Sequence, residues 1–218
     1  MKLNAVVIAD DVAENIGELC VMLKNSTNQL LEQFEQARNG SVEVNCFIYC
    51  HDTINKHNLS EKVSLVNTNT FFCCWYGHGS DTSFSMNGEK IVTTTDNHYV
   101  FSNAIIYTFS CMNGGTLADA LINNNVRVFV GYSGNANCPY GIDNVTCDIA
   151  MSFVSSLLDG KTINNAVEDL RLSYEDAMFN EELEPFQRSW FQENRDDIMI
   201  KGDGSLTIND LLVELKSH

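Results

Sequence analysis

Apolar runs of strand length alternate along this chain with segments of helical period. Val6–Ala9 lies in the first run, and Ile16, Leu19, Cys20 and Leu23 then recur at i, i+3, i+4 and i+7. Leu30, Leu31 and Phe34 continue that stripe, so the opening predicts a strand followed by an amphipathic helix. Further strands are predicted at Val42–Cys50, Thr70–Tyr76, Ala104–Phe109 and Val126–Tyr132, each ending in a polar or glycine-rich loop. Between the third and fourth, Ser85-Met86-Asn87-Gly88-Glu89-Lys90 carries an Asn-Gly pair between short alternating segments, the signal of a hairpin appended to the sheet. Past the fifth strand, Ile149, Phe153 and Leu157 mark a short helix, and the positions from Ile163 through Leu170 and Tyr174 to Ala177 mark a longer one. The polar stretch Glu181–Asp197 gives no assignment. Such alternation predicts an α/β fold in which helices cover both faces of a mostly parallel sheet.

Composition narrows this to an ordinary globular chain. Its 218 residues include two prolines and no linker-like tract, which predicts a single domain over 1–218. Hydrophobic residues make up 44% and charged residues 19%, so a full core is expected. A net charge of −16, from 29 acidic against 13 basic residues, argues against direct binding to nucleic acid or anionic membrane. The same field favours a basic peptide or protein ligand, although acidic surfaces also serve solubility alone. The first apolar run is too short for a signal-peptide core, and no later stretch is predicted to span a membrane. Without a secretion signal, the eight cysteines read as reduced thiols, and a cytoplasmic location is expected.

Two of the strands run into reactive residues flanked by small ones, in Trp75-Tyr76-Gly77-His78-Gly79 and Phe109-Ser110-Cys111-Met112-Asn113-Gly114-Gly115. Ligands of open parallel sheets bind at the carboxyl ends of strands, so His78 and Cys111 meet there if these strands are neighbours. A thiol of ordinary pKa, about 8.5, is mostly protonated at neutral pH and needs help to act as a nucleophile. Two sources are expected: the N-terminus of the helix containing Leu117, Ala118 and Leu121, and the imidazole of His78 as acid and base. Gly77 and Gly79 leave room for a peptide backbone, and the Gly79 and Cys111 amides form a candidate oxyanion hole. Taken singly, His78 reads as a loop histidine and Cys111 as a small buried residue. Metal binding is not expected: Cys73 and Cys74 point to opposite faces of a strand, and no Cys-x-x-Cys pair exists. Ser80 and Asp81 beside His78 hint at a serine triad, but the Gly-x-Ser-x-Gly elbow is missing.

An apolar strand followed by His78-Gly79, and another followed by Ser110-Cys111 and a glycine pair, resembles the signature of the superfamily of caspases, metacaspases, gingipains, clostripain, separases and CHAT-domain proteases. The pattern is most similar to the CHAT and gingipain-like members. Val128–Gly134 looks like their strand after the catalytic cysteine, which implies a place for Ser133 along the substrate groove. Ile200–Leu206 is similar to their closing Gly-Asp-Pro segment, with Gly204 in place of the proline. Phe109 stands where metacaspases carry an aspartate, and the caspase Gln-Ala-Cys motif is absent, so neither of those families fits strictly.

The resemblance implies a three-layer α/β/α caspase-like (caspase-hemoglobinase) fold with a mostly parallel central sheet. It also implies a cysteine endopeptidase that cleaves a protein or peptide substrate through a thioester acyl-enzyme, with Cys111 as nucleophile, His78 as acid and base, and no cofactor. Proteases of this kind resemble effectors held in check by a regulatory protein partner or by self-cleavage, including those of prokaryotic defence systems. The pocket for the residue before the scissile bond is implied to lie among Asp10 and Asp11, the stretch near Cys111, and Asn135–Asp143. Asp10, Asp11 and Asp143 would pair there with arginine or lysine. The competing use of these aspartates is structural: Asp10 or Asp11 caps the first helix and Asp143 is a solvated turn residue. The alternative function is a catalytically silent caspase-like module that binds a partner. A nucleotide-binding flavodoxin-like domain ranks third, since no glycine-rich loop follows the first strand.

Overall fold

Two strands at the centre of the chain have no polar stripe at all, and this decides where they sit. Phe71–Tyr76 and Ala104–Phe109 are buried at every residue, which requires cover on both faces of the sheet. The structure, a computed structural model, describes residues 1–66 and 69–214. The elements run β1 (Lys2–Ala9), α1 (Gly17–Ala37), β2 (Glu43–Tyr49), α2 (Leu59–Ser64), β3 (Phe71–Tyr76), β4 (His78–Ser80), β5 (Ser83–Met86) and β6 (Glu89–Thr93). They continue with β7 (Ala104–Phe109), α3 (Thr116–Asn123), β8 (Val128–Tyr132), α4 (Asp143–Leu158), α5 (Ile163–Met178), α6 (Pro185–Asp197) and β9 (Ile198–Gly202).

The main sheet has the order β2-β1-β3-β7-β8-β9. Its first five strands are parallel, and β9 pairs antiparallel with β8 at the edge. Alternation along the strands sorts their side chains into two cores. Val7, Phe72, Cys74, Tyr76, Tyr107 and Val130 pack under α1, α4 and α5, whereas Val6, Ile8, Cys73, Trp75, Ile106 and Phe129 pack under α2, α3 and the β5–β6 hairpin. Cys73 and Cys74 thus lie on opposite faces, both fully buried. All eight cysteines fall within the described residues and are free thiols.

The five predicted strands are present: the last four lie within two residues of their expected ends, and β1 contains Val6–Ala9 but starts earlier, at Lys2. Asn87 (φ 48°) and Gly88 (φ 76°) make the turn of the hairpin, both in the left-handed region that an Asn-Gly pair tolerates. With β4, that hairpin forms a separate three-stranded sheet. One expectation is corrected and two elements are added. The helix marked by Ile149, Phe153 and Leu157 is not shorter than its successor, since α4 and α5 are both 16 residues long. The unassigned stretch before Asp197 contains α6, which hides only Gln187, Phe191 and Asn194. An antiparallel edge strand, β9, follows directly.

Candidate active site

β3 and β7 lie side by side in a parallel register that runs from Phe71 opposite Ala104 to Tyr76 opposite Phe109. Beyond the last pair, the Gly77 N–H donates to the Phe109 carbonyl at 3.3 Å. His78 and Cys111 each stand two residues past the pairing, at the same end of neighbouring strands. His78 is exposed and opens β4, where it faces Ser85 across the antiparallel pair. Cys111 is half-buried.

Gly79 brings the two segments together. A Cβ there would come within 2.7 Å of the Cys111 carbonyl oxygen and 3.1 Å of Asn113 Nδ2, and would collide with Ser110 Oγ. Only a residue without a side chain lets the strand that carries His78 lie this close to the turn that carries Cys111. The turn itself is sharp. Met112 has φ 53°, a left-handed conformation that is uncommon for a non-glycine residue. It is held from two sides: the Met112 N–H donates to the Gly134 carbonyl at 2.7 Å, and the Gly114 N–H donates to the Tyr132 carbonyl at 2.9 Å. Inside the turn, Asn113 Nδ2 donates to the Ser110 carbonyl at 2.7 Å. Thr108 Oγ1, Ser110 Oγ and Asn113 Oδ1 are buried without a hydrogen-bond partner among the described residues. A buried polar atom left without a hydrogen bond costs about 1–3 kcal/mol.

The thiol does not receive the help expected from a helix. α3 begins at Thr116, five residues beyond Cys111, and its leading N–H groups are already taken by Asp81. Burial pushes the Cys111 thiol above its ordinary value, opposed only in part by hydrogen bonding with the Ala136 backbone; the Ala136 carbonyl oxygen lies 4.0 Å from Sγ. The expectation of a helix-stabilised thiolate is therefore corrected: three residues, Met112 to Gly114, are used to turn the chain before α3 starts. Burial thus favours the neutral form of the Cys111 thiol.

Asp11, Glu18, Cys138, Tyr140, Asp143 and Trp190 are among the residues lining a cleft of about 640 Å³, whose lining includes neither His78 nor Cys111. Two of the expected specificity residues, Asp11 and Asp143, thus share one space, although 132 positions separate them in the chain. Asp11 Oδ1 lies 2.7 Å from His51 Nδ1. Burial tends to raise the Asp11 carboxyl, but the hydrogen bonds from His51 outweigh this and hold it below the usual range. The same pairing raises His51 above its ordinary value. The Cys138 thiol donates to Asp143 Oδ1 at 3.2 Å, and burial, reinforced by that carboxylate, pushes the thiol up to about 12. Neither Asp10 nor Asp11 caps α1, whose first turn has no side-chain cap.

Asp10 does not line the cleft. It is 0% exposed, its Oδ2 accepts from the Asn87 N–H at 2.9 Å, and Oδ1 has no partner among the described residues. A Cβ on Gly77 would lie 3.0 Å from Asp10 Cβ, so the carboxylate sits behind the turn that leads to His78. Ser133 is exposed, but its hydroxyl donates to Asp197 Oδ1 at 3.1 Å and its N–H to the Asp197 carbonyl at 2.8 Å.

Sequence reading missed the residue that anchors the loop after β8. Asn194 is fully buried and holds Asn137 by both backbone groups: the Asn137 N–H donates to Asn194 Oδ1 at 2.7 Å, and Asn194 Nδ2 donates to the Asn137 carbonyl at 2.8 Å. Ala136, one residue earlier, supplies the carbonyl over Cys111. The sequence did carry a signal for α6. Glu184, Pro185 and Gln187 spell a capping box with proline at the first helical position.

No protein-family model and no curated protein matches the chain. Among solved structures it is similar to a secreted C11 cysteine protease from Bacteroides thetaiotaomicron, "iotapain", with a TM-score of 0.51 and 13% sequence identity. The match covers 79% of this chain and 62% of that one, so the chain spans less than two thirds of its neighbour. The fold is the caspase-like fold. Its six-stranded, mostly parallel sheet between two helical layers is the architecture expected from the His78-Gly79 and Ser110-Cys111 blocks. Among the described residues of this caspase-like chain, no helix is long and apolar enough to cross a membrane, and no three His, Cys, Asp or Glu side chains gather as for a metal ion.

Proposed function

We propose that this chain is a cysteine endopeptidase in which Cys111 is the nucleophile and His78 the general acid and base. The observation that carries the reading is the packing of Gly79 against Ser110 and Cys111 at the level ends of β3 and β7, on a caspase-like fold. The Cys111 thiol passes its proton to the imidazole, and the sulfur attacks the scissile carbonyl carbon, forming a C–S bond while the C=O electron pair moves to oxygen. The Gly79 and Cys111 amides stabilise that oxyanion. Collapse breaks the C–N bond as His78 protonates the leaving amine, leaving a thioester. Water then attacks the thioester carbon, His78 takes its proton, and the C–S bond breaks to release the acid and restore the thiol.

The cleft with Asp11, Glu18 and Asp143 supports a basic residue before the scissile bond, since an acidic side chain would be desolvated there beside like charges. Asp10, buried behind Gly77, and Ser133, tied to Asp197, contribute by shaping the site rather than by touching substrate.

A second reading is favoured by the raised pKa of the thiol and the occupied N-terminus of α3: a caspase-like module that binds a partner without turnover. Treatment with an arginyl or lysyl peptide bearing a thiol-reactive electrophile separates the two. Stoichiometric labelling of Cys111 that His78→Ala suppresses supports the peptidase. Labelling no faster than that of a free thiol, with His78→Ala indistinguishable, selects the binding module.

A further inference from the structure

Asp81 follows His78 by three residues, at the end of β4, and its side chain reaches the helix that follows the nucleophile. Thr116 N–H donates to Asp81 Oδ1 at 2.7 Å and Thr116 Oγ1 donates to Oδ2 at 2.6 Å. Leu117 N–H donates to the Asp81 carbonyl at 2.7 Å. Both carboxylate oxygens and the backbone oxygen are thus engaged with the first two residues of α3. The helix has no cap of its own, because Gly115 occupies its N-cap position and offers no side chain. Gly115 must stay bare, since a Cβ there would collide with Asp81 Oδ1. The Thr116 hydrogen bonds hold the Asp81 carboxyl below its ordinary range, so it is ionised at neutral pH.

An N-cap normally comes from the residue just before its helix and steadies that helix alone. Here it comes from the strand that carries His78, 35 residues earlier in sequence. The short β4 strand is therefore fixed at two points on the nucleophile's segment: by Gly79 against Ser110 and Cys111, and by Asp81 against Thr116 and Leu117. The turn between them is stiffened by the Ser80–Ser83 hydroxyl pair at 2.8 Å. We propose that Asp81 is a positioning residue that fastens the His78 strand to the helix after Cys111, and so holds the imidazole in place over the nucleophile. This rests on the assignment of His78 and Cys111 as the catalytic pair.

The test compares Asp81→Ala, Asp81→Asn and Thr116→Val in the full chain, with His78→Ala as reference, using a basic peptide substrate and iodoacetamide alkylation of Cys111. Asp81→Ala is expected to lower kcat by about 10- to 100-fold, the scale of an ångström-level misplacement of a catalytic group, with KM within about 2-fold. Asp81→Asn keeps an acceptor for the Thr116 N–H and is expected to recover most of that loss. Added to His78→Ala, Asp81→Ala is expected to have no further effect on the alkylation rate. If Asp81→Ala does not fold, Thr116→Val carries the test: it keeps the N–H bond and is expected to lower kcat about 3-fold at constant KM. An unchanged kcat in Asp81→Ala or Thr116→Val, whatever the melting temperature, overturns the positioning role while leaving the dyad standing. So does an additional loss of alkylation in the His78→Ala background. A His78→Ala variant with wild-type cleavage and alkylation overturns the dyad and, with it, this role.

Discussion

Tyr76 and Phe109 are register partners on adjacent parallel strands, so His78 and Cys111, two residues further on in each, leave the sheet at the same level. Sheet pairing therefore fixes their separation along the strand direction, and loop packing has only to fix the rest.

Removing either group is expected to end catalysis without unfolding the chain. Cys111→Ala should leave no measurable turnover, and His78→Ala should lower kcat about 10²- to 10⁴-fold, the usual contribution of a general acid and base. Cys73→Ala and Cys74→Ala are controls. Both side chains are fully buried, so each should cost about 1 kcal/mol of stability and leave kcat near wild type. Peptide cleavage and denaturant unfolding, measured side by side, check the contrast, and turnover in Cys111→Ala near the wild-type rate would remove the nucleophile assignment.

Gly79→Ala tests the close approach of the two segments. The added Cβ meets the Cys111 carbonyl oxygen and Ser110 Oγ, a backbone and a buried side-chain atom with little freedom to yield. The strand should lift away, and kcat should fall about 10²- to 10³-fold as the oxyanion donor is displaced. Full activity in this variant would mean that the contact is not part of the working site.

The cleft gives a pH prediction whose sign follows from the His51–Asp11 pair. Hydrogen bonding to Asp11 raises His51 above about 6.5, so the pair's contribution to stability is complete below that value and is lost as pH rises through the raised one. Asp11 is lowered, so its share is present above about 3.9 and lost only as pH falls through its depressed value. Once His51 loses its proton, the Asp11 charge is no longer shared. KM for a basic substrate should therefore decrease as pH rises through the raised His51 value, and His51→Gln should flatten that step. Asp11→Asn and Asp143→Asn should each raise KM for basic peptides more than for apolar ones. Equal effects on both substrates would assign these carboxylates a structural use.

Asn194→Ala removes both hydrogen bonds to the Asn137 backbone and leaves a partly buried donor and acceptor unpaired. A loss of about 2–4 kcal/mol is expected from two such groups. The loop that carries the Ala136 carbonyl should then open, and limited proteolysis should cut between residues 133 and 142 before the rest of the chain. Wild-type stability and an uncut loop would show that the clamp is redundant.

The parts of this fold legible in the sequence are those where burial leaves no choice of residue. β3 and β7 read as unbroken apolar runs because both of their faces are covered, and Asn87-Gly88 marks the hairpin because few other pairs accept its backbone angles. His78 and Cys111 were legible because each follows such a strand directly. α6 was not, since a helix with three buried residues has almost no apolar stripe. The occupied N-terminus of α3 was hidden for another reason. It depends on a carboxylate 35 positions away, and nothing in the local sequence of Thr116 records that partner. Likewise, Asp10 and Asp11 are adjacent in sequence but not in use: one is sealed behind Gly77, and the other faces the cleft.

The Asn194 clamp also has a consequence for a chain emerging from the ribosome. His78 and Cys111 are synthesised early, whereas the side chain that secures the loop above Cys111 comes more than eighty residues after that cysteine. The edge strand β9, which closes the sheet against β8, comes later still. A nascent chain halted at residue 184 holds both reactive groups but neither of these supports, and is expected to show no cleavage. On the proposed peptidase reading, cleavage is then expected only after Asn194 and β9 have been synthesised.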